Sequence, residues 1–230
     1  RVFKGKMTES YQHIDLFSGI GGFSLGLKQS GFPIRKTYFS EIDKWAISVY
    51  RRNFQDAEYL GSVDTISGRR LKGRKTIITF GFPCQDLSVA GKRKGFDGSR
   101  SSLFFEAMRI IEEVEPDLFI FENVKGFYSS NNGKDFTIAL QTIADLGLYE
   151  CQWQLLNTAW FLPQNRERVF IIGHLRGEPR PKVFPLIPTG KISHGGNAKI
   201  ANSLQHPGHS GGNYKGMTMI KTKRHPRSEE

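Results

Sequence analysis

A doubly wound α/β fold with a mostly parallel sheet is what this sequence predicts, and three observations carry that expectation. Segments of strand character and helix character alternate through most of the chain. The strand segments 75–80 and 117–121 are short continuous apolar runs, the pattern of parallel strands covered on both faces. Residues that carry chemistry cluster just after strand segments, where open α/β sheets place their ligands.

The first strand segment is 13–17. A glycine turn, Gly19-Ile20-Gly21-Gly22, leads into a helix over 23–29 that Gly31 ends. A second strand follows at 37–40, then a helix over Lys44–Asn53 with Asp43 as its N-cap. After the strand at 75–80 comes a helix over 102–114, which stops before Pro116. The strand at 117–121 and a helix over 134–146, capped by Gly147, come next. Segments 149–156 and 168–173 read as a closing pair of strands. Beyond Gly177 the prolines 179, 181, 185 and 188 break regular structure, and a Gly/His/Asn-rich stretch covers 194–213.

Lys and Arg total 33 against 22 Asp and Glu, a formal net charge of +11, which favours a polyanionic partner, nucleic acid first among them. The two cysteines, Cys84 and Cys151, form no C-x-x-C pair, so no metal site is expected and a reducing compartment fits. No apolar run reaches transmembrane length and no signal-peptide pattern opens the chain, so a cytoplasmic location without membrane partners is expected.

Four constellations stand out. In Asp15-Leu16-Phe17-Ser18-Gly19-Ile20-Gly21-Gly22, glycines let a ligand approach the backbone and the helix start offers free N–H groups. Glu41 closes the next strand about twenty residues on, a separation suited to a ribose hydroxyl. These features imply a nucleoside-containing cofactor, a dinucleotide among the candidates, the alternative being a tight turn without a ligand. Gly81-Phe82-Pro83-Cys84-Gln85 places a thiol directly after a buried strand, and Lys92, Arg93, Lys94 and Arg100 supply positive charge that would lower its pKa. Gly91, Gly95 and Gly98 give that basic loop the character of a lid. A nucleophile or a packing cysteine both fit. Glu122, in Phe121-Glu122-Asn123-Val124, suits a general acid if burial raises its pKa, or a salt-bridging carboxylate. In Gln164-Asn165-Arg166-Glu167-Arg168 two arginines at i and i+2 share one side of an extended chain. They could orient a base, phosphate or carboxylate, or form a solvated charge run.

The order and spacing of these four motifs resemble those of the bacterial and phage DNA cytosine-5 methyltransferases, over about residues 13–174. The resemblance implies a Rossmann-like, S-adenosylmethionine-dependent methyltransferase fold, with a catalytic domain over 1–177. It implies that Phe17, Gly19, Ile20, Gly21 and Gly22 line the cofactor pocket. Glu41 would hold the ribose hydroxyls, Ile42 would pack on the adenine and Asp64 would meet its amino group. Pro83 and Cys84 form the nucleophile motif, with Pro83 also beside the cofactor. Glu122 contacts N3 and the amino group of cytosine, Arg168 contacts O2 and Arg166 supports the site. Double-stranded DNA is the implied partner, with the target base flipped out of the helix.

The C-terminal part departs from the family pattern. Only about 179–196 stands where a larger target-recognition region is usual. Residues 200–204 resemble the segment normally found after that region, and 223–229 resembles the start of the next motif. Residues 178–230 are therefore expected to be a remnant of the recognition region with the start of that motif. The chain then reads as truncated, shortened, or one part of a split enzyme completed by a second polypeptide. Methylation of tRNA is a further reading, since one branch of the family uses RNA. A nicotinamide-dependent enzyme would leave the Pro-Cys and Glu-Asn-Val motifs idle.

Overall fold

The computed structural model describes residues 10–72, 75–83, 103–177 and 183–186. Its strands are β1 (Tyr11–Leu16), β2 (Ile34–Ser40), β3 (Glu58–Tyr59), β4 (Thr76–Phe80), β5 (Leu118–Val124), β6 (Tyr149–Asn157) and β7 (Glu167–Leu175). They form one sheet in the order β3-β2-β1-β4-β5-β7-β6. The pairs from β3 through β5 are parallel, and β7 runs antiparallel to both β5 and β6. The helices are α1 (Gly22–Ser30), α2 (Lys44–Asn53), α3 (Leu103–Val114), α4 (Lys125–Ser129) and α5 (Lys134–Asp145). This is the expected mostly parallel α/β architecture.

Local chemistry sets the helix ends as expected. The Asp43 side chain accepts from the Ala46 N–H at 2.8 Å and caps α2. Gly31, at φ 70°, takes the left-handed turn that closes α1. The largest boundary shifts, three residues each, arise because pairing outruns the local apolar pattern. β2 begins at Ile34, where its ladder with β1 begins, and β5 continues past Phe121 because pairing with β7 persists to Val124↔Arg168. β3 and α4 have no periodic signal long enough to read.

Residues opposite one another in a ladder share a face of the sheet. Ile14↔Ile78↔Phe119 and Leu16↔Phe80↔Phe121 therefore line one face. They join Phe104, Ile111, Phe127 and Ala139 of α3, α4 and α5 in an apolar core. His13↔Ile77 and Phe39↔Asp15↔Thr79 line the other face, where Ser24 of α1 and Tyr50 of α2 meet them. The sheet order turns between β1 and β4: the chain leaves β1 toward β2 and leaves β4 toward β5. The crevice beyond the carboxyl ends of these two strands is where such sheets bind ligands.

Candidate active site

On one side of the crevice the backbone leaves β1 through a run of left-handed residues: Phe17 at φ 52°, Gly19 at 53° and Gly21 at 95°. Gly21 is required twice over, because a Cβ there would run into the Phe54 ring as well as strain the backbone. At Gly19 and Gly22 a Cβ would meet nothing within 4 Å, so the backbone faces open space. The loop is laced to its neighbours. Ser18 N–H donates to the Ser40 carbonyl at 3.0 Å, and Gly19 N–H donates to Glu41 Oε2 at 2.8 Å. Ser40 Oγ donates to the Gly61 carbonyl and Tyr59 Oη to the Glu41 carbonyl. The turns after β1, β2 and β3 thus form one rim.

Glu41 gathers further N–H groups. Its Oε1 also accepts the N–H groups of Ile42 and Asp43, at 2.8 and 3.0 Å. A carboxylate has about four acceptor positions, so the Glu41 carboxylate, with three N–H groups bound, keeps capacity for a further hydroxyl. Ile20 and Ile42 stand 64% and 76% exposed on the same rim, and Asp64 is exposed on the 3-10 turn Val63–Thr65. Ser18 Oγ is buried with no hydrogen-bond partner among the described residues. An open glycine backbone, a spare carboxylate position and apolar side chains beside them fit the ribose and base of a nucleoside cofactor.

Beneath this loop lies a polar network that sequence patterns did not reveal. The fully buried Asp15 carboxylate accepts from Thr79 Oγ1 and Ser24 Oγ at 2.8 Å each and from Tyr50 Oη at 3.3 Å. His13 Nε2 lies 2.7 Å from Thr79 Oγ1, and Ser24 Oγ lies 2.6 Å from Tyr50 Oη. Burial pushes the Asp15 carboxyl up to about 7 despite these hydroxyls, and burial pushes His13 down to about 3. Strands β1 and β4 are pinned here to α1 and α2 through one carboxylate.

On the other side, β4 leads into Gly81-Phe82-Pro83. Phe82 is locked into the apolar core, 5.1 to 5.7 Å from the rings of Phe104, Phe121 and Phe127, while Pro83 is exposed. Asn123 Nδ2 donates to the Phe82 carbonyl at 3.1 Å and ties β5 to this step. A Cβ at Gly81 would lie 3.1 Å from Glu122 Oε2, so this glycine lets the carboxyl sit against the end of β4. Cys84 is next in sequence and lies outside the described residues, as does the basic loop that follows it.

Glu122 and Arg168 are diagonal neighbours across the antiparallel β5–β7 pair, since Val124 lies opposite Arg168. Arg168 Nε lies 2.9 Å from Glu122 Oε1, and its N–H is not aligned with that oxygen. Burial pushes the Glu122 carboxyl up, and Arg168 and Arg166 oppose this without cancelling it, so it titrates above an ordinary glutamate. Arg166 is exposed, and with Arg168, Gln164, Asn165 and Lys125 it lines a groove of about 440 Å³. The expected Glu122, Arg166, Arg168 and Pro83 are thus brought to one edge of the sheet. Phe17, Gly19, Ile20, Gly21, Gly22, Glu41 and Ile42 sit at the adjoining rim, and Asp64 lies on the turn that the Ser40–Gly61 bond ties to it.

Among the described residues no helix is long and apolar enough to cross a membrane, and no cluster of three metal-binding side chains occurs.

A family model described as C-5 cytosine-specific DNA methylase matches residues 11–222. The type II methyltransferase M1.ScrFI of Lactococcus lactis subsp. cremoris is 42% identical over 172 residues, which are 74% of this chain and 43% of that protein. The type II methyltransferase M.HhaI of Haemophilus parahaemolyticus is 37% identical over 170 residues, 74% of this chain and 50% of that protein. A solved structure of a prophage-encoded E. coli protein, described as a DNA modification methyltransferase, superposes with a TM-score of 0.58 at 27% identity, over 73% of this chain and 47% of its own. The chain spans about half the length of the curated relatives it matches.

Proposed function

The chain belongs to the C-5 cytosine-specific DNA methylase family, and from that premise we propose that it carries the catalytic core of a DNA cytosine-5 methyltransferase. The observation that carries this reading is the Glu122 carboxyl. It is raised by burial, paired with Arg168 and seated against Gly81, three residues before Cys84.

When bound, S-adenosylmethionine supplies an electrophilic methyl group. Glycines 19, 21 and 22 with Phe17 and Ile20 form the floor of its pocket, Glu41 takes the ribose, and Ile42 and Asp64 take the adenine. C5 of cytosine is too weak a nucleophile to accept a methyl unaided. The Cys84 thiolate adds to C6, and the ring electrons displaced toward N3 are met by the protonated Glu122, which makes C5 enamine-like. Transfer of the methyl to C5 would leave the donor as its neutral thioether; the C5 proton then passes to water, the C6–S bond breaks to release Cys84 as thiolate, and N3 returns its proton to Glu122. Arg168 binds O2 of the base and, with Arg166, limits how far Glu122 rises. Pro83 and the buried Phe82 fix the chain that carries Cys84. The base has to leave the duplex for this chemistry, at a cost of a few kcal/mol, and the +11 net charge suits the duplex as partner.

The test is transfer of labelled methyl from S-adenosylmethionine to duplex DNA and, separately, to tRNA, with Cys84→Ser as control. Cys84-dependent label at C5 of DNA cytosine is expected. Label in tRNA alone would overturn the DNA assignment, and label in neither would overturn the activity.

A further inference from the structure

Asp64 rides on a short 3-10 turn. Val63–Thr65 is a single 3-10 turn, closed by Thr65 N–H and Thr65 Oγ1 donating to the Ser62 carbonyl and by Ile66 N–H donating to the Val63 carbonyl at 3.3 Å. Val63 and Ile66 point into the core while Asp64 and Thr65 face outward. A single 3-10 turn has poorer hydrogen-bond geometry than an α-helix, so the position of a carboxylate at its apex depends on what else holds the turn.

Arg109 of α3 grips this turn at both ends. Its Nη2 donates to the Val63 carbonyl at 3.2 Å and its Nη1 to the Ile66 carbonyl at 2.9 Å, so one guanidinium spans the residues flanking Asp64 and Thr65. The guanidinium is itself held from behind. Nε donates to Glu106 Oε2 at 2.9 Å and Nη1 to Glu113 Oε1 at 3.0 Å. Glu113 Oε2 then accepts from the Gly68 N–H at 2.7 Å and fastens the next 3-10 turn, Gly68–Leu71. A Cβ at Gly68 would lie 2.9 Å from Val114 Cγ2, so this segment lies in direct contact with α3. Burial favours the neutral form of Glu113, but the Arg109 and Gly68 hydrogen bonds outweigh it and keep the carboxyl below its ordinary value.

We propose that Arg109, backed by Glu113, is a positioning residue for nucleobase recognition: it fixes the Val63–Ile66 turn so that Asp64 reads the exocyclic amino group of a bound adenine. The proposal rests on the cofactor reading above. The planar guanidinium suits the task because it presents several N–H groups in a rigid fork, whereas an ammonium is a point charge that cannot bridge two carbonyls and two carboxylates in that geometry. Arg109 touches no ligand in this scheme and acts only through Asp64.

The test is equilibrium binding of S-adenosylhomocysteine and of its counterpart carrying hypoxanthine in place of adenine, which offers a carbonyl where adenine offers an amino group. The wild type is expected to prefer the adenine ligand by about tenfold or more, the size of one hydrogen bond to a charged group. Asp64→Ala and Arg109→Gln should each bring the ratio close to one, and the double variant should lower it no further. Arg109→Lys keeps the charge between the two glutamates, guards against misfolding, and should also lose most of the preference. Equal weakening toward both ligands by the Arg109 variants, with the ratio kept, would overturn the proposal and leave the cofactor reading standing. A wild type that binds neither ligand would overturn both.

Discussion

The two halves of the crevice are held by different means. The rim proposed for the cofactor is made of backbone: left-handed turns at Phe17, Gly19 and Gly21, N–H groups gathered on Glu41, and the Asp15 network behind them. The side proposed for the target base is made of side chains: Glu122 and Arg168 meet across an antiparallel pair, with Glu122 set against Gly81 at the end of β4. A backbone cradle is preorganised by conformation and binds whatever shape fits. Charged side chains held half-buried on paired strands can shift a pKa and take part in proton and charge movement. Binding and chemistry should therefore separate by mutation.

The sharpest break is on the base side. Glu122→Gln is expected to lower kcat by roughly 10²–10⁴-fold, the usual range for a lost general acid, with S-adenosylmethionine affinity unchanged by equilibrium binding. A parallel loss of affinity would mean the halves are not separable. On the cofactor side, Gly21→Ala drives a Cβ into Phe54 at a positive φ. It should cost about 2–4 kcal/mol in denaturant unfolding and raise the KM for S-adenosylmethionine while saturated turnover persists. Between the halves, Asn123→Ala leaves the Phe82 carbonyl without its donor and should cost about 1–3 kcal/mol of stability. It should lower kcat more than it raises KM, because Phe82 leads to Cys84; the opposite split would assign Asn123 to the cofactor side.

The smallest effect concerns pH. The Asp15 carboxyl lies near 3.8 when unfolded and is pushed up to about 7 when folded. Between these values the folded state keeps a proton that the unfolded state has lost, so stability falls as pH rises toward 7. His13 is pushed from 6.5 down to about 3, so below 6.5 the unfolded state gains a proton the folded state refuses, and stability falls as pH drops. The two slopes oppose between about pH 4 and 6.5. Asp15→Asn removes the first and leaves the second. Its melting temperature should rise with pH across that window more steeply than that of the wild type, and parallel curves would contradict the network's titration.

What was legible in the sequence was local. Asp43 caps α2 and Gly31 closes α1 because each acts on the turn beside it. The glycine turn and the Pro-Cys step announced themselves for the same reason. The supports behind them were not legible, because each joins residues far apart in the chain. Thr79 reaches Asp15 across 64 positions, Asn123 reaches Phe82 across 41, and Arg109 reaches Val63 across 46. Such pairs follow from strand order, register and the packing of helices on the sheet, and no periodicity encodes those locally. The partnership of Glu122 with Arg168 is of this kind, since it exists only because β7 runs antiparallel to β5.

The most direct test of the catalytic assignment is to trap the covalent step. Duplex DNA with 5-fluorocytosine at target positions has no C5 hydrogen to lose, so once C5 is methylated the Cys84 adduct cannot eliminate. Incubation with the protein and S-adenosylmethionine should give a protein–DNA complex that survives denaturation, requires the cofactor, and is absent with Cys84→Ser. No complex with the wild type, or one that persists in Cys84→Ser, would contradict the assignment of Cys84 as the nucleophile.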